Sequence, residues 1–381
     1  MMKKLLIELY EPFEFDKNVY QAFLTDAEHL LYLSPEKVDS RERTCLSQFI
    51  RDELPHIQTV AFRQLDFVDL ERELDKLVGD YDEVVVDTFG GDSLLAVALY
   101  RYAIQRGMAV IAMDVDKNVI YQWLAGGIDK TKCQVPSLTI AQLIALHGGK
   151  ILRYHQNPVA KHYFSAVKEL ASYALRNPRK WLDAIQFFSM ADTVDLIADT
   201  EKVFTWSGRS YRYPKSLIPL LVAAGMIHVE MEDRRRVRYL YPNPETQLLC
   251  RTKGYILELY LFIQAQESGL FDECYLGAEI DWNGIFPEVA NVQNEIDLIL
   301  RKGRKTVFVS CKMTDLTAEA VNELDLYAEH FMGDDCLKVM VCTGKISPTI
   351  YQRCQEYGVL VIGLAEVENF VVQLKRHLRA G

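Results

Sequence analysis

The chain has 381 residues, of which 49% are hydrophobic, and its 43 basic and 53 acidic side chains give a net charge of −10. This length allows roughly two or three domains, and the apolar content is enough for large cores that need no disulfides. The acidic balance argues against a protein that coats nucleic acid, since such proteins are usually basic. An acidic enzyme can still bind nucleic acid through a local basic patch.

The cysteine pattern and the N-terminal sequence indicate a cytoplasmic protein. Eight cysteines are scattered with no C-x-x-C pair and no histidine at zinc-ligand spacing, so we expect buried, reduced thiols. The start, Met1-Met2-Lys3-Lys4, leads into an apolar run that Glu8 interrupts, which predicts a first strand rather than a signal peptide. No run of about 18 apolar residues is present, so we expect no membrane span.

Residues 1–150 alternate between strand and helix patterns. Strands are expected at Leu5–Tyr10, Leu30–Leu33, Glu83–Asp87 and Met108–Met113, and helices at Val19–Leu30 and Leu94–Gln105. This alternation predicts an α/β fold in which the first domain is a Rossmann-like parallel sheet. In such sheets, ligands bind at the carboxyl ends of the strands.

The segment Asp87–Ser93 joins a predicted strand to a predicted helix and contains Gly90 and Gly91. Glycines let the backbone approach a ligand closely, and a helix N-terminus offers free N–H groups to phosphate. The segment matches neither G-x-G-x-x-G nor a P-loop. A plain tight turn is therefore the competing interpretation.

Residues 151–245 form a different region, with helical patterns followed by a charged β-hairpin. Helices are expected at Val159–Leu175, Lys180–Met190 and Ser216–Ala224, and hairpin strands at Met226–Met231 and Val237–Tyr241. A helix followed by such a hairpin is winged-helix-like, and Arg234, Arg235, Arg236 and Arg238 would be its nucleic-acid contacts. We favour a connector between two domains, with these arginines solvated or paired with acids.

Residues 246–381 contain a predicted β-hairpin with the candidate catalytic residues. Its strands are Asn294–Leu300 and Thr306–Lys312, and a basic turn, Arg301–Lys305, joins them beside the site. Because side chains alternate along a strand, Glu295 and Asp297 share a face, as do Ser310 and Lys312. Such a cluster can hold a divalent metal and activate water for phosphodiester hydrolysis. A solvated cross-strand charge pair is the alternative.

Asp297 on the first strand and Ser310-Cys311-Lys312 at the end of the second resemble the PD-(D/E)xK nuclease core. Lys312 matches the lysine of that motif, and Ser310 stands where the family has an acid. Further strands at Leu337–Thr343 and Val359–Ile362 fit the resemblance. It implies a Mg²⁺ or Mn²⁺ ion held by Asp297, Glu295 and Glu258, the last on a predicted helix that precedes the core. It also implies that Lys312 positions or deprotonates the attacking water, or stabilises developing charge, and that Ser310 orients a water or a ligand. Which acid replaces the one absent at position 310 stays open between Glu295 and Glu258.

The motif Thr88-x-Gly90-Gly91 resembles the ligand loop of CARF domains, the Rossmann-like sensors of CRISPR systems. The resemblance, with the position at the carboxyl edge of the sheet, implies a ligand site formed by three loops. Its candidate residues are Tyr10, Glu11, Phe13, Asn18, Ser34, Thr88, Phe89, Gly90, Gly91, Asp92 and Ser93. An acid beside a phosphate is unfavourable, so Asp92 is alternatively a cap of the following helix.

The order of a CARF-like domain (1–150), a helical or winged-helix-like connector (151–245) and a PD-(D/E)xK-like α/β domain (246–381) resembles the ancillary nucleases of type III CRISPR systems. The resemblance implies a homodimer in which cyclic oligoadenylate, usually cyclic tetra-adenylate, activates metal-dependent cutting of DNA, RNA or both. One alternative is a ligand-controlled transcription regulator with an inactive nuclease fold. Another is a restriction or repair nuclease without a nucleotide switch.

Overall fold

The computed structural model describes residues 2–12, 14–124, 127–156, 158–286, 293–332 and 336–379. The chain has a mixed α/β fold with several sheets, and it forms two compact units. The first unit comprises Met1–Ile151, Ile280–Asn294 and His330–Asp334, and the second comprises Leu152–Glu279, Glu295–Glu329 and Asp335–Gly381. Across the described ranges, the helices are too short or too polar to cross a membrane.

The first unit contains one seven-stranded sheet and the helices around it. Its strands are β1 (Lys4–Leu9), β2 (His29–Ser34), β3 (Thr59–Gln64), β4 (Glu83–Asp87), β5 (Ala109–Asp114), β6 (Val119–Leu124) and β7 (Gly127–Lys132). Its helices are α1 (Lys17–Leu24), α2 (Ser40–Glu53), α3 (Leu70–Val78), α4 (Ser93–Gln105) and α5 (Ile140–Leu146). The strand order is β3-β2-β1-β4-β5-β6-β7.

The centre of this sheet is parallel, as the sequence predicted, and its far edge is not. Strands β3, β2, β1, β4 and β5 pair in parallel, whereas β5, β6 and β7 pair antiparallel. The first predicted helix is shorter than expected, because Thr25 has extended backbone angles and ends α1 at Leu24. Strand β1 is buried on both faces, with Leu6 and Ile7 in different apolar cores, as expected for a parallel strand covered by helices on both sides.

The stretch Ile280–Asn294 belongs to the first unit although it lies far along the chain. Arg41 on α2 anchors it by donating to the Trp282 carbonyl over 3.2 Å and to Asn283 Oδ1 over 2.5 Å. The Arg41 guanidinium also lies 5.1 Å from the centre of the Phe286 ring. The Ile285 N–H donates to the Gly148 carbonyl. Residues 282–286 are therefore held by specific polar contacts as well as by apolar packing.

The second unit is built mainly from elements after residue 150. Its strands are β8 (Lys150–His155), β9 (Thr193–Val194), β10 (Ile197–Glu201), β11 (Val203–Trp206), β12 (Arg209–Arg212), β13 (His228–Glu232), β14 (Arg236–Leu240), β15 (Glu273–Asp281), β16 (Gln293–Lys302), β17 (Lys305–Lys312), β18 (Cys336–Cys342) and β19 (Leu360–Gly363). Its helices are α6 (Phe164–Arg176), α7 (Pro178–Met190), α8 (Ile218–Ala223), α9 (Pro244–Arg251), α10 (Tyr255–Ser268), α11 (Ala318–Met332), α12 (Pro348–Glu356) and α13 (Phe370–Arg379), with 3₁₀ turns at Lys161–Tyr163 and Leu364–Asn369.

The main sheet of the second unit has the order β19-β18-β17-β16-β15-β8. Strands β16 and β17 pair antiparallel, and β17, β18 and β19 pair in parallel. A smaller sheet has the order β13-β14-β10-β9, and β11 and β12 form a separate hairpin. In the small sheet Arg236 and Arg238 both bind Asp199. Two of the four arginines considered for nucleic-acid binding are thus paired with an acid.

Helix α10 is buried on nearly every side and forms the centre of the core of this unit. Its sequence, YILELYLFIQAQES, is apolar around most of its circumference, which is typical of a helix enclosed by other elements. The helix ends at Gly269, whose left-handed conformation (φ +59°) makes a favourable C-terminal cap. One polar side chain in its first turn, Glu258, is carried into this buried region.

Candidate functional site

The hairpin β16–β17 brings the predicted nuclease residues together. Its register places Leu298 opposite Val309 and Lys302 opposite Lys305, with a two-residue turn between the strands. With this register and the alternation of side chains, the four predicted residues line one small cavity of about 40 Å³. These residues are Glu295, Asp297, Ser310 and Lys312.

Asp297 is fixed by the strand beside it. Its Oδ2 accepts a hydrogen bond from the Cys311 N–H over 2.6 Å and a longer one from the Ser310 hydroxyl over 3.4 Å. Burial raises the pKa of Asp297, while the Cys311 N–H and the Lys312 charge act in the opposite direction. Ser310 therefore contacts the carboxylate of the motif, at the position where the nuclease family has a second acid.

Glu258 and Glu295 lie within electrostatic range of Asp297. Burial raises the pKa of Glu258 well above its usual value, the negative charges of Asp297 and Glu295 raise it further, and Lys312 opposes them. Burial and the Asp297 charge also raise the pKa of Glu295. Three carboxyl groups and one ammonium group thus share this region, which favours a bound cation.

The sequence did not reveal a role for Gly277, which lies on β15 beside Glu295. Gly277 has a left-handed conformation (φ +57°), and a Cβ at this position would lie 3.1 Å from Glu295 Oε1. The missing side chain leaves space for the Glu295 carboxylate. A single glycine inside a strand is the only signal in the sequence, and it is typical of a bulge or of a close approach by another group.

The chemistry of these side chains suits a hard divalent cation. Mg²⁺ and Mn²⁺ prefer oxygen ligands, and Mg²⁺ is usually bound through one or two carboxylates while keeping several waters. In the described ranges, no three His, Cys, Asp or Glu side chains converge closely enough to hold a metal by themselves. The cluster therefore fits an ion that retains waters and binds a substrate phosphate, rather than one enclosed by protein ligands.

The basic turn Arg301–Lys305 is smaller than the sequence predicted, and it is not beside the cavity. Arg301 was expected to face solvent, but it is only 2% exposed and its Nη1 donates to Thr306 Oγ1 over 2.6 Å. The reason is that β16 continues to Lys302, so Arg301 lies inside the sheet. The Lys302 ammonium lies 3.5 Å from Asp272 Oδ1. The turn after Lys302 also lies five residues along β16 from Asp297, roughly 16 Å away, and none of its residues lines the cavity.

In the first unit, the predicted ligand loop joins β4 to α4. The Thr88 N–H and hydroxyl both donate to the Ile111 carbonyl, over 3.0 and 3.2 Å. The Phe89 ring lies 5.4 Å from the Lys17 ammonium. Asp92 caps α4, because its Oδ1 accepts from the Leu95 N–H over 2.8 Å. The helix-cap alternative for Asp92 is therefore confirmed, and the exposed Ser93 begins the helix.

The two glycines of the loop have left-handed backbone conformations, with φ +76° at Gly90 and +66° at Gly91. A Cβ on Gly91 would lie 2.5 Å from Leu9 Cβ and 3.2 Å from the Tyr10 carbonyl oxygen. The Gly91 N–H donates to Glu11 Oε2 over 3.0 Å. A carboxylate thus occupies a backbone donor of the kind that an anionic ligand would use.

Most of the remaining predicted ligand residues are hydrogen-bonded within the protein, and Ser34 lies at the edge of the sheet. Asn18 and Glu11 exchange two hydrogen bonds of 2.8 Å through the Asn18 side chain and the Glu11 backbone. The Tyr10 hydroxyl donates to Glu42 Oε2 over 2.8 Å. Ser34 ends β2 and is 7% exposed. Phe13 lies outside the described residues.

A buried carboxyl pair that was not predicted from the sequence lies beneath this loop. Glu8 and Asp87, on the adjacent strands β1 and β4, are 4% and 2% exposed. Burial raises the pKa of Asp87 to about 7, although the Phe89 N–H donates to it. Burial and the Asp87 charge raise the pKa of Glu8. The sequence does contain one sign of this pair, because each of two otherwise apolar strands carries an acid.

Comparison with known proteins identifies the fold. No family model matches the sequence, and no curated protein matches it. The solved structure of protein VC1899 from Vibrio cholerae matches with a TM-score of 0.71 and 14% identity, covering 99% of this chain and 98% of that one. The chain has the same fold. Can2 from Sulfobacillus thermosulfidooxidans, solved in complex with cyclic tetra-adenylate, matches with a TM-score of 0.65 and 14% identity, over 97% of this chain and 98% of Can2.

Proposed function

We propose that this protein is a metal-dependent endonuclease of antiviral CRISPR defence that a cyclic oligoadenylate activates, with cyclic tetra-adenylate as the favoured ring. One observation carries the proposal. The cavity lined by Glu295, Asp297 and Lys312 belongs to a chain that shares its fold, over nearly its whole length, with a protein solved with cyclic tetra-adenylate. The substrate is DNA, RNA or both, cut with little sequence specificity, and the location is the cytoplasm.

In the proposed reaction, a bound Mg²⁺ or Mn²⁺ supplies Lewis-acid activation of the phosphate and of the attacking water. Asp297, Glu295 and Glu258 are the residues that would hold it. Asp297 is kept in place by the Cys311 N–H. Lys312 lines the same cavity, where its ammonium stabilises the negative charge that develops on the phosphate oxygens or positions the water. Contacts to phosphate carry little sequence information, which accounts for non-specific cutting.

The proposed activator binds in the first unit, at the loop that contains Gly90 and Gly91. This loop lies at the carboxyl end of β4 and at the N-terminus of α4, where backbone N–H groups favour phosphate. A ring of four adenylates has two-fold symmetry, so a homodimer would present the same loop to each half of the ring. Helix α4 supports this arrangement with three exposed apolar side chains on the element that follows the loop. These are Leu94, Val97 and Ile104, at 61%, 68% and 45% exposure.

The deciding experiment measures cleavage as a function of activator, metal and nucleic acid. Purified protein is incubated with single-stranded DNA, supercoiled DNA or RNA, in Mg²⁺, Mn²⁺ or EDTA. Each combination of nucleic acid and metal is tested without activator and with the cyclic tri-, tetra- or hexa-adenylate. We expect cleavage that needs both metal and one of the rings, and that Asp297→Asn abolishes.

Three results would contradict the proposal or narrow it. Full activity without any ring would indicate a restriction or repair nuclease with no nucleotide switch. Ring-dependent DNA binding without cleavage would indicate a transcription regulator with an inactive nuclease fold. Activity that survives EDTA, or that survives Asp297→Asn, would remove the metal site from the assignment.

A further inference from the structure

One face of helix α11 forms a wall of the candidate nuclease cavity. The residues that line it are Ala320, Glu323, Leu324 and Tyr327. Their spacing of three, four and seven residues places them on one side of the helix. The opposite wall carries Glu295, Asp297, Ser310 and Lys312. Glu323 therefore faces the same space as the hairpin residues, although it comes from a separate element.

The Glu323 carboxylate is held in place by its neighbour on the helix. The Tyr327 hydroxyl donates to Glu323 Oε1 over 2.5 Å. Tyr327 is only 7% exposed, so packing restrains its ring, whereas Glu323 is exposed at the rim of the cavity. A buried phenol thus orients an exposed carboxylate, a pairing that reduces the freedom of a side chain that would otherwise sample many rotamers.

Position 310 explains why this carboxylate matters. The nuclease motif places an acid there, and this chain has Ser310, whose hydroxyl instead donates to Asp297. Glu323 is close enough for its negative charge to act on Asp297. An exposed carboxylate exchanges water for a cation at a smaller desolvation cost than a buried one. Glu258, by contrast, is partly buried in the first turn of α10.

We propose that Glu323, oriented by Tyr327, supplies the carboxylate that position 310 lacks and helps to bind the hydrated divalent cation. The inference rests on the proposed nuclease function. Glu323 acts from the open side of the cavity, where it binds the cation or one of its waters, while Asp297 acts from the sheet. Tyr327 is a positioning residue, and it fixes the direction of the carboxylate without touching the ion.

The test measures Mn²⁺ affinity directly, without substrate or activator, by the loss of the electron paramagnetic resonance signal of free Mn²⁺. We expect Glu323→Gln to weaken Mn²⁺ binding about tenfold or more, the usual effect of removing a side chain that supports a metal site. Tyr327→Phe keeps the ring and removes the hydroxyl, so a smaller loss is expected. Glu329→Gln, also exposed on α11, is the matched control and should bind Mn²⁺ as the unaltered protein does.

Asp297→Asn separates the two ways in which the inference can fail. If Asp297→Asn weakens Mn²⁺ binding and Glu323→Gln does not, the cavity is a cation site and the role of Glu323 is wrong. If neither substitution changes Mn²⁺ binding, the cavity is not a cation site, and the proposed nuclease function fails with it. Circular dichroism of each variant, compared with Glu329→Gln, establishes that any loss is not a loss of folding.

A second readout distinguishes orientation from a purely structural role of the tyrosine. If Tyr327 acts through Glu323, then combining Tyr327→Phe with Glu323→Gln should weaken Mn²⁺ binding no further than Glu323→Gln alone. Additive losses would mean that Tyr327 affects the site by another route. That result would overturn the positioning role.

Discussion

The Cys311 N–H donates to Asp297 Oδ2 over 2.6 Å, from one strand of an antiparallel pair to the other. This bond fixes the orientation of a carboxylate that is largely removed from water. The donor is a backbone N–H, so every residue type except proline can supply it at position 311. The pairing of β16 with β17 thus positions the acid before any cation is bound, and much of the precision of the candidate site follows from this pairing.

Asp297→Asn should remove cleavage without unfolding the protein. An amide oxygen can still accept from the Cys311 N–H, whereas the negative charge is lost. We expect activator-dependent cleavage to fall by about a hundredfold or more, with unchanged binding of cyclic tetra-adenylate. Gel assays and calorimetry measure the two effects. Asp192→Asn, at an exposed position directly before β9 of the same unit, is the control, and an equal loss in both variants would contradict the assignment.

Gly91→Ala should destabilise the first unit more than Gly90→Ala does. Both glycines have positive φ, which costs about 1–2 kcal/mol for a residue with a Cβ. At Gly91 the new Cβ would also lie 2.5 Å from Leu9 Cβ, whereas at Gly90 the nearest atom is at 3.6 Å. Overpacking adds about 1–3 kcal/mol. Thermal unfolding of the two variants tests the difference, and equal melting temperatures would show that the loop relaxes freely.

Glu11→Gln should increase the affinity for an anionic ring. In the free protein the Glu11 carboxylate accepts from the Gly91 N–H and would repel a phosphate that approaches the same donor. Removing the charge should tighten cyclic tetra-adenylate binding by up to about tenfold. The gain should shrink with added salt. Glu36→Gln, an exposed change, is the control; weaker binding by Glu11→Gln would instead mean that Glu11 accepts from a ribose hydroxyl.

Asp87→Asn should change how stability depends on pH. In the unfolded chain an aspartate titrates near pH 4, whereas burial raises the pKa of Asp87 to about 7. Between these values the native state holds a proton that the unfolded state has lost, so this group makes stability fall as pH rises from about 4 to 7. At about 1.4 kcal/mol per pKa unit, the effect amounts to a few kcal/mol.

Chemical denaturation at pH 5 and pH 8 measures this effect. The loss of stability between the two values should be smaller in Asp87→Asn than in the unaltered protein. The amide oxygen can still accept from the Phe89 N–H, so the turn is preserved. Asp80→Asn, on an exposed turn, should leave the pH dependence unchanged. Parallel curves for Asp87→Asn and the unaltered protein would show that Asp87 is ionised in the folded state at both values.

Val97→Glu should weaken the proposed homodimer. Val97 is 68% exposed on α4, near the exposed Leu94, and a charge at the centre of an apolar contact between two copies is costly. Light scattering after size-exclusion chromatography should report a dimer for the unaltered protein and a monomer for the variant. Leu326→Glu, which changes an exposed apolar residue on α11, is the control. Leu326→Glu should remain a dimer, and a dimer that persists in Val97→Glu would remove α4 as a dimer contact.

The strands were predictable wherever apolar residues form a clear pattern. Alternation in Asn294–Leu300 and Thr306–Lys312 predicted both strands of the hairpin β16–β17 and the faces of their polar side chains. The hairpin β6–β7 was not predicted, because every residue of β7 is exposed and its sequence has no apolar period. For Arg301 the sequence predicted exposure, and this was wrong. Its charge indicated solvent, while the extent of β16 decided that it is buried.

Glu323 lay beyond what the sequence offers. Helix α11 carries several acids, and no periodic rule tells which of them faces a hairpin that ends at Lys312. Packing of the helix against the sheet makes that choice. The sequence contains a stronger indication of the pair Glu8 and Asp87, since acids in two buried strands are unusual. Their proximity depends on β1 and β4 being neighbours, and that strand order is a property of the whole sheet.

Each of the two compact units is assembled from three separate stretches of the chain. The stretch Ile280–Asn294 interrupts the second unit in the sequence, and its residues Trp282 and Asn283 accept hydrogen bonds from Arg41. A truncation after residue 151 would therefore strip the first unit of part of its own packing, and it would leave the remainder with unmatched apolar surface. Exchange of the first unit between related proteins by a single genetic crossover would be equally damaging. The two units are consequently expected to be inherited, expressed and lost as one gene segment.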